Sequence, residues 1–240
     1  GVAVGTPGGA VCRIGALPPE LTGSLQLNVL RRVVETVPDI RLDVVELLPD
    51  AQVRALMEGA IDVGIAGHFA GLEMGQALAS VLLTEDPIDC VMLAEGHPLA
   101  ERAWLTAADL EREPFLFLPR PLAPGLFDAL VRSFSDMGLA PRVNASFGGP
   151  RSVWRAVANS MGWTVGSRSQ RSHPPPGLVA VPVEGLHVEW GISLLWRRDE
   201  TDEGIRRVLE VFRETRNPEV AVVVATVRAS LGPRSVTAGV

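Results

Sequence analysis

The chain has 240 residues, 47% hydrophobic and 21% charged, enough to bury a sizeable core and divide it between two lobes of about 100 residues each. A formal charge of -6 leaves no general attraction to a phosphate backbone, so this chain by itself is not expected to bind nucleic acid. Cys12 and Cys90 lie far apart in apolar, strand-like contexts without CxxC spacing, which predicts two reduced core thiols and a cytosolic address rather than a disulfide or metal site.

Residues 1–10 (GVAVGTPGGA) lack the basic and apolar regions of a signal peptide and read as linker. The chain opens without a Met, which predicts a fragment whose upstream part is missing. No run approaches the ~18 apolar residues of a membrane span, so no membrane partner is expected. From residue 11 the pattern alternates: strand 11–15, helix 20–37, strand 41–46, helix 50–58, and a short strand carrying Asp62. The first helix sets Leu21, Leu25, Leu30, Val33, Val34 and Val37 on one face, and Pro38 stops it. In the second, Asp50 reads as N-cap, Gly59 as C-cap, and Asp62 just beyond as structural.

Residues 80–83 and 88–93 are extended and apolar, split by Glu85, Asp86 and Pro87, where the chain is expected to leave its first lobe. A second unit follows: strand 115–118, helix 125–137 ended by Gly138, strand 142–146, and a helix opened by Pro150 with Val153, Trp154, Val157, Ala158 and Met161 on one face. Strands 163–165 and 179–183 flank a loop rich in Ser, Arg and Pro. A long strand over 188–196 and a helix over 204–214 read as a return to the first lobe. Strands separated by helices predict an α/β fold with mainly parallel sheets. Residues 217–240 read as a tail, with 220–227 an extra edge strand or packing segment.

Three segments, LLPDAQVRALMEGAIDVGI (47–65), GHPLA (96–100) and PFLFLP (114–119), resemble the effector-binding domain of LysR-type regulators, and the pattern runs from residue 11 to 216. PDAQVRALMEG (49–59) and SFSDMGLAP (133–141) look most like the regulators of aromatic-acid catabolism. The resemblance implies two Rossmann-like lobes of the periplasmic binding protein type 2 fold, joined by two crossover strands. Lobe I would comprise 11–86 and 188–216, and lobe II 87–187. It further implies a small-molecule effector between the lobes, and a homodimer or homotetramer pairing the helix around 23–34 with that over 125–137. DNA would be contacted only through an N-terminal winged helix-turn-helix outside this chain.

In open parallel sheets, ligands sit beyond the carboxyl ends of strands, against helix N-termini. Four junctions qualify here, 17–22, 49–52, 119–126 and 148–152, with Leu17, Pro18, Pro19, Glu20 and Thr22, Pro49 and Asp50, Pro119, Arg120, Pro124 and Gly125, and Gly149 and Arg151 as their candidate contacts. His68 and Glu85 complete the candidate set. Relatives typically offer a Ser or Thr at the first junction, whereas this chain reads LPPEL there. Their usual Thr at the second junction is Pro49 followed by Asp50, and Glu85 stands where some carry an Arg. GWTVG (162–166) also lacks the family's second Gly.

Two effector classes stay open. Glu20 and Glu85 facing the cleft would repel a carboxylate and favour a neutral or cationic ligand. Alternatively, Arg120 and Arg151 supply positive charge for an acidic one, helped by helix termini. Glu20 and Asp50 could equally serve only their helix first turns, and Trp154 and Trp163 either pack in lobe II or stack on an aromatic effector. The four His show no i, i+4 pairing and no clustering with Cys or acids, which predicts no metal. No GxSxG, Walker A or dinucleotide fingerprint occurs, so no cofactor and no enzyme activity are expected. A solute-binding protein of the same fold, delivering a small metabolite to a transporter, is the alternative; an enzyme on this fold ranks last.

Overall fold

The computed structural model describes residues 10–22, 24–69, 72 and 74–214. In the first lobe, β1 (Ala10–Ala16), β2 (Ile40–Glu46), β3 (Val63–His68), β4 (Leu78–Glu85) and β10 (Gly191–Arg197) form one sheet in the order β2-β1-β3-β10-β4. β1 runs parallel to β2 and β3, whereas β10 is antiparallel to β3 and β4. The sheet is covered by α1 (Ser24–Thr36), α2 (Pro49–Met57) and α7 (Glu203–Glu214). Ile205, Val208, Leu209 and Phe212 of α7 are buried, as its 3.6-residue spacing requires.

The second lobe carries a three-stranded sheet of β8 (Thr164–Ser167), β5 (Ile88–Ala94) and β9 (Leu178–Pro182), all antiparallel. A parallel pair, β6 (Pro114–Phe117) and β7 (Arg142–Ser146), stands beside it. Helices α3 (Ala107–Leu110), α4 (Pro124–Asp136), α5 (Pro150–Ala158) and α6 (Arg168–Ser172) complete the lobe. The two chain crossings between lobes hold each other: Ile88 and Val188 exchange two N–H···O bonds of 3.0 Å, and the Asp86 amide donates to the Trp190 carbonyl at 2.9 Å.

Several expectations shift for local reasons. The helix expected over 20–37 splits, because Pro18 and Pro19 fix φ and lack N–H groups. A tight 3-10 turn over Pro19–Leu21 closes first, with the Leu21 amide donating to the Pro18 carbonyl at 2.9 Å. Asp50 is not the N-cap: α2 begins one residue earlier with Pro49 in its first turn and Leu48 as the cap. Helix α5 stops at Ala158, so Met161 is exposed instead of joining the inner face. Val34 is also 55% exposed, on the outer side of α1.

The strand expected from 188 starts only at Gly191, Val188 being used in the crossing. Where a plain loop was expected, α6 forms because Ser167 and Gln170 build a reciprocal capping box. Gly59 and Gly138 do end their helices, at φ of +70° and +73°. The expected linker over 1–9 and tail over 217–240 lie outside the described residues.

Among the described residues no helix is long and apolar enough to cross a membrane. Cys12 and Cys90 are buried and free, and burial pushes each thiol up to about 12.

Candidate effector cleft

Two buried glutamines shape the lobe I wall. The side chain of Gln26 clamps the backbone of Leu17 from both sides, accepting from its N–H and donating to its C=O at 3.0 Å each. Gln52 Nε2 donates to the carbonyls of Leu47 and Ile65 at 2.8 and 3.0 Å, tying the start of α2 to β3. Gly64 makes this possible, since a Cβ there would lie 2.8 Å from Gln52 Oε1. The junctions after β1 and β2 are therefore pinned to backbone, by both ends of the Gln26 amide and by the Nε2 of Gln52, whose buried Oε1 is left without a partner among the described residues.

Facing them across the gap is an apolar cavity of about 70 Å³ walled from both sides. Leu21, Leu48 and Pro49 come from lobe I, and Phe117, Leu126, Val153 and Trp154 from lobe II. Ile88 and Trp190, from the two crossings, complete it, and Thr164, Ser167 and Gln170 add hydroxyl and amide groups. Trp190 is held by stacking on Phe69, with ring centroids 5.9 Å apart. Leu21, Trp154 and Gln170 also line a larger polar chamber of about 550 Å³, whose remaining walls include Pro19, Glu20, Thr22, Glu85, Asp86 and His173. A third opening of about 240 Å³ lies between Pro18, Glu20, Gly149 and Arg151.

Glu20 is bonded to the second lobe in two ways. Arg151 Nε donates to Glu20 Oε1 at 2.6 Å, and Gln170 Nε2 donates to the Glu20 carbonyl at 3.2 Å. Glu20 thus holds both lobes with one side chain and one backbone oxygen.

The candidate residues fall into groups. Pro18, Pro19, Glu20, Thr22, Pro49, Glu85, Gly149 and Arg151 line one or more of these spaces. Leu17 is core, fully buried beneath the junction. Pro119, Pro124 and Gly125 are not among the lining residues; their neighbours Leu118, Ala123 and Leu126 are, because the turn and the start of α4 present those side chains inward.

Arg120 points away: Nε and Nη2 form a bidentate pair with Asp128 at 2.8 and 2.7 Å, one helical turn into α4. It therefore supplies no charge to the cleft. Asp50 and His68 line none of the three spaces. Burial pushes the Asp50 carboxyl up, against the pull of its backbone hydrogen bond and Arg54. Trp154 and Trp163 part ways, the first lining the cleft and the second fully buried in lobe II.

Sequence reading missed most of the apolar wall, Leu48, Phe117, Leu126, Val153 and Trp190, because a core residue and a cavity-lining residue share one hydrophobic pattern. It missed the three glutamines as well. Gln26 carried a signal, being the one amide among the apolar positions of its helix face.

Two α/β lobes linked by two hydrogen-bonded crossings, with a cavity walled from both, define a type 2 periplasmic-binding-protein fold. The LysR substrate binding domain family matches residues 9–217, and the chain belongs to that family. It is 26% identical over 212 residues to the HTH-type transcriptional regulator TtuA of Agrobacterium vitis, covering 84% of this chain and 66% of the relative. It is also 26% identical over 128 residues to the uncharacterized HTH-type transcriptional regulator YnfL of Escherichia coli K12, covering 53% of this chain and 42% of the relative.

Among solved structures, the BenM effector binding domain with its effector benzoate superposes with a TM-score of 0.67. The match covers 96% of this chain and 99% of that one, at 22% identity. The chain spans two thirds or less of these two curated relatives, and the family it matches is not a catalytic one. No group of three or more His, Cys, Asp or Glu suited to a metal occurs among the described residues.

Proposed function

We propose that this chain is the effector-sensing and oligomerisation part of a cytosolic LysR-type transcriptional regulator, nearest in type to the regulators of aromatic-acid catabolism. The observation that carries this reading is the apolar cavity walled by both lobes and both crossings, since a ligand there contacts every part that moves when the lobes close. Lobe I comprises 11–86 and 188–216, and lobe II 87–187. Leu21, Pro49, Phe117, Val153, Trp154 and Trp190 bury the apolar body of the effector. Pro18, Pro19, Glu20, Thr22, Glu85, Gly149 and Arg151 form its polar surround.

Binding shifts a population of lobe arrangements, and by linkage the arrangement preferred on DNA raises effector affinity. DNA contact belongs to a helix-turn-helix part outside this chain, as the relatives' names suggest. Exposed Leu27 and Val34 on α1 and Val131 on α4 are apolar positions suited to the antiparallel pairing of subunits.

A thermal-shift screen of aromatic acids, amino acids and amines tests the site. Compounds that stabilise the chain are expected to lose all effect on Leu21→Trp, which fills the cleft from a half-buried position, with circular dichroism unchanged. Hits retained by that variant would place the site elsewhere.

A further inference from the structure

Around the polar chamber, the acids outnumber the free cations. Glu20, Glu85 and Asp86 line it together with His173, while no Arg does, and the chain contains no Lys. The nearby guanidinium groups are engaged: Arg151 with Glu20, and Arg168 and Arg171 with Asp89 at 3.1 and 3.2 Å. Asp86 accepts only from neutral donors among the described residues, the Ser167 and Ser169 hydroxyls at 2.6 Å and the Ser169 amide at 2.7 Å, and no arginine pairs with it. Among the described residues the Glu85 carboxylate has no ion-pair partner.

A second, independent observation concerns Thr22. It is only 9% exposed, it lines the same chamber, and its hydroxyl has no hydrogen-bond partner. A buried polar group left unbonded is unfavourable, and a donor supplied by a ligand would relieve it. The helices that ordinarily cradle an anion are weakened here as well. Pro stands in the first turn of α2, α4 and α5, at Pro49, Pro124 and Pro150, and each removes one free N–H from the helix end.

We propose that the effector is an organic amine, its apolar body in the small cavity and its ammonium in the chamber lined by Glu85, Asp86 and Thr22. This rests on the inter-lobe site proposed above. Trp154 lines both spaces, placing an aromatic face where the cation meets the apolar part. A chamber of about 550 Å³ lies within the ordinary size range of ligand sites. A carboxylate in the same place would meet Glu85 and Asp86, neither of them ion-paired among the described residues, and no lining arginine.

Calorimetric titration of the 240-residue chain at pH 7 with benzylammonium, benzyl alcohol and benzoate tests the charge preference. Benzylammonium is expected to bind tightest. The exposed substitution Glu85→Gln is expected to weaken it about tenfold while leaving benzyl alcohol within about twofold. Benzoate binding as tightly as benzylammonium, or a Glu85→Gln variant with unchanged preference, overturns the amine assignment. If Leu21→Trp abolishes that benzoate binding, the cleft reading survives and only the charge assignment falls. Absence of binding by all three probes also overturns the amine assignment, whereas the cleft reading falls only if Leu21→Trp spares the hits of the broader screen.

Discussion

The two lobes are held together by different chemistry. In lobe I two interior strands, β1 and β3, are pinned together by charge: Arg13 donates to Asp62 through its backbone N–H, Nε and Nη2 at 2.9, 3.0 and 2.6 Å. Arg197 stands 3.6 Å from the same carboxylate and 2.7 Å from Glu200. In lobe II the strands form two small sheets, and aromatic rings fill the space between them. Phe115 and Phe134 pack on Trp163 with centroids 4.6 and 5.7 Å away, and the indole N–H donates to the Glu113 carbonyl at 3.1 Å. A five-stranded ladder closed by a returning strand needs register, which a directional ion pair supplies. Two short sheets joined among the described residues by a single bridge, Phe115 to Trp163, need volume, which rings supply.

Removing the rings should have the largest effect. Trp163→Ala is expected to cost about 3–5 kcal/mol in urea unfolding, with little dependence on pH because no titrating group is lost.

Asp62→Ala should cost less, about 1.5–3 kcal/mol near neutrality, because it removes hydrogen bonds to a charged group. Its pH behaviour separates it from the first. Burial disfavours ionisation of Asp62, but the Arg13 hydrogen bonds and the Arg13 and Arg197 charges outweigh it and hold the carboxyl below its usual range. The native state therefore favours the carboxylate, and this contribution is present above an unfolded Asp value of about 4 and is lost as pH falls through the lower folded value. Wild type and Asp62→Ala should converge in stability on acidification, while the Trp163→Ala deficit persists. Equal pH dependence in both variants would erase the distinction between the lobes.

The Glu20–Arg151 contact has the same chemistry as the lobe I pin, but the Arg151 side chain is 63% exposed. Arg151→Ala should change stability by no more than about 1 kcal/mol. Its effect belongs to the gap between lobes, so small-angle scattering should show a larger radius of gyration for the variant, diminishing as salt screens the wild-type contact. The smallest effect is expected at the thiols. With both pushed up to about 12, Cys12 and Cys90 should resist alkylation by iodoacetamide at pH 8 in the folded chain and react fully in urea.

Much of this architecture is legible in local pattern. The alternation of strands and helices, the glycines after α2 and α4, and the inward face of α7 follow from periodicity and backbone freedom, which act within a few residues. Some departures were local, at the Pro18–Pro19 turn and the Ser167–Gln170 capping box, and others fell where a neighbour distant in sequence decides. Val34 shares a helix periodicity with buried Val33 yet looks outward, and Val188 leaves its strand to bond Ile88.

The site divides the same way. Residues of three strand-end junctions, among them Glu20, Pro49 and Arg151, line the spaces between the lobes, while Pro119, Arg120, Pro124 and Gly125 of the other line none of them. Which side chain faces inward was not readable from one strand or helix. Arg120 is captured by Asp128 eight residues on, while Arg151 reaches Glu20, 131 residues away in sequence.

By itself the amino-acid sequence determined the order of most elements and the class of fold, since these depend on spacing and on residues close along the chain. Only the tertiary structure decided the polarity of the cleft. It commits the nearby arginines to acids and leaves Glu85 without a salt bridge and the Thr22 hydroxyl without a partner. Charge in a cleft is set by which groups neutralise one another across space, and that pairing is absent from any linear pattern.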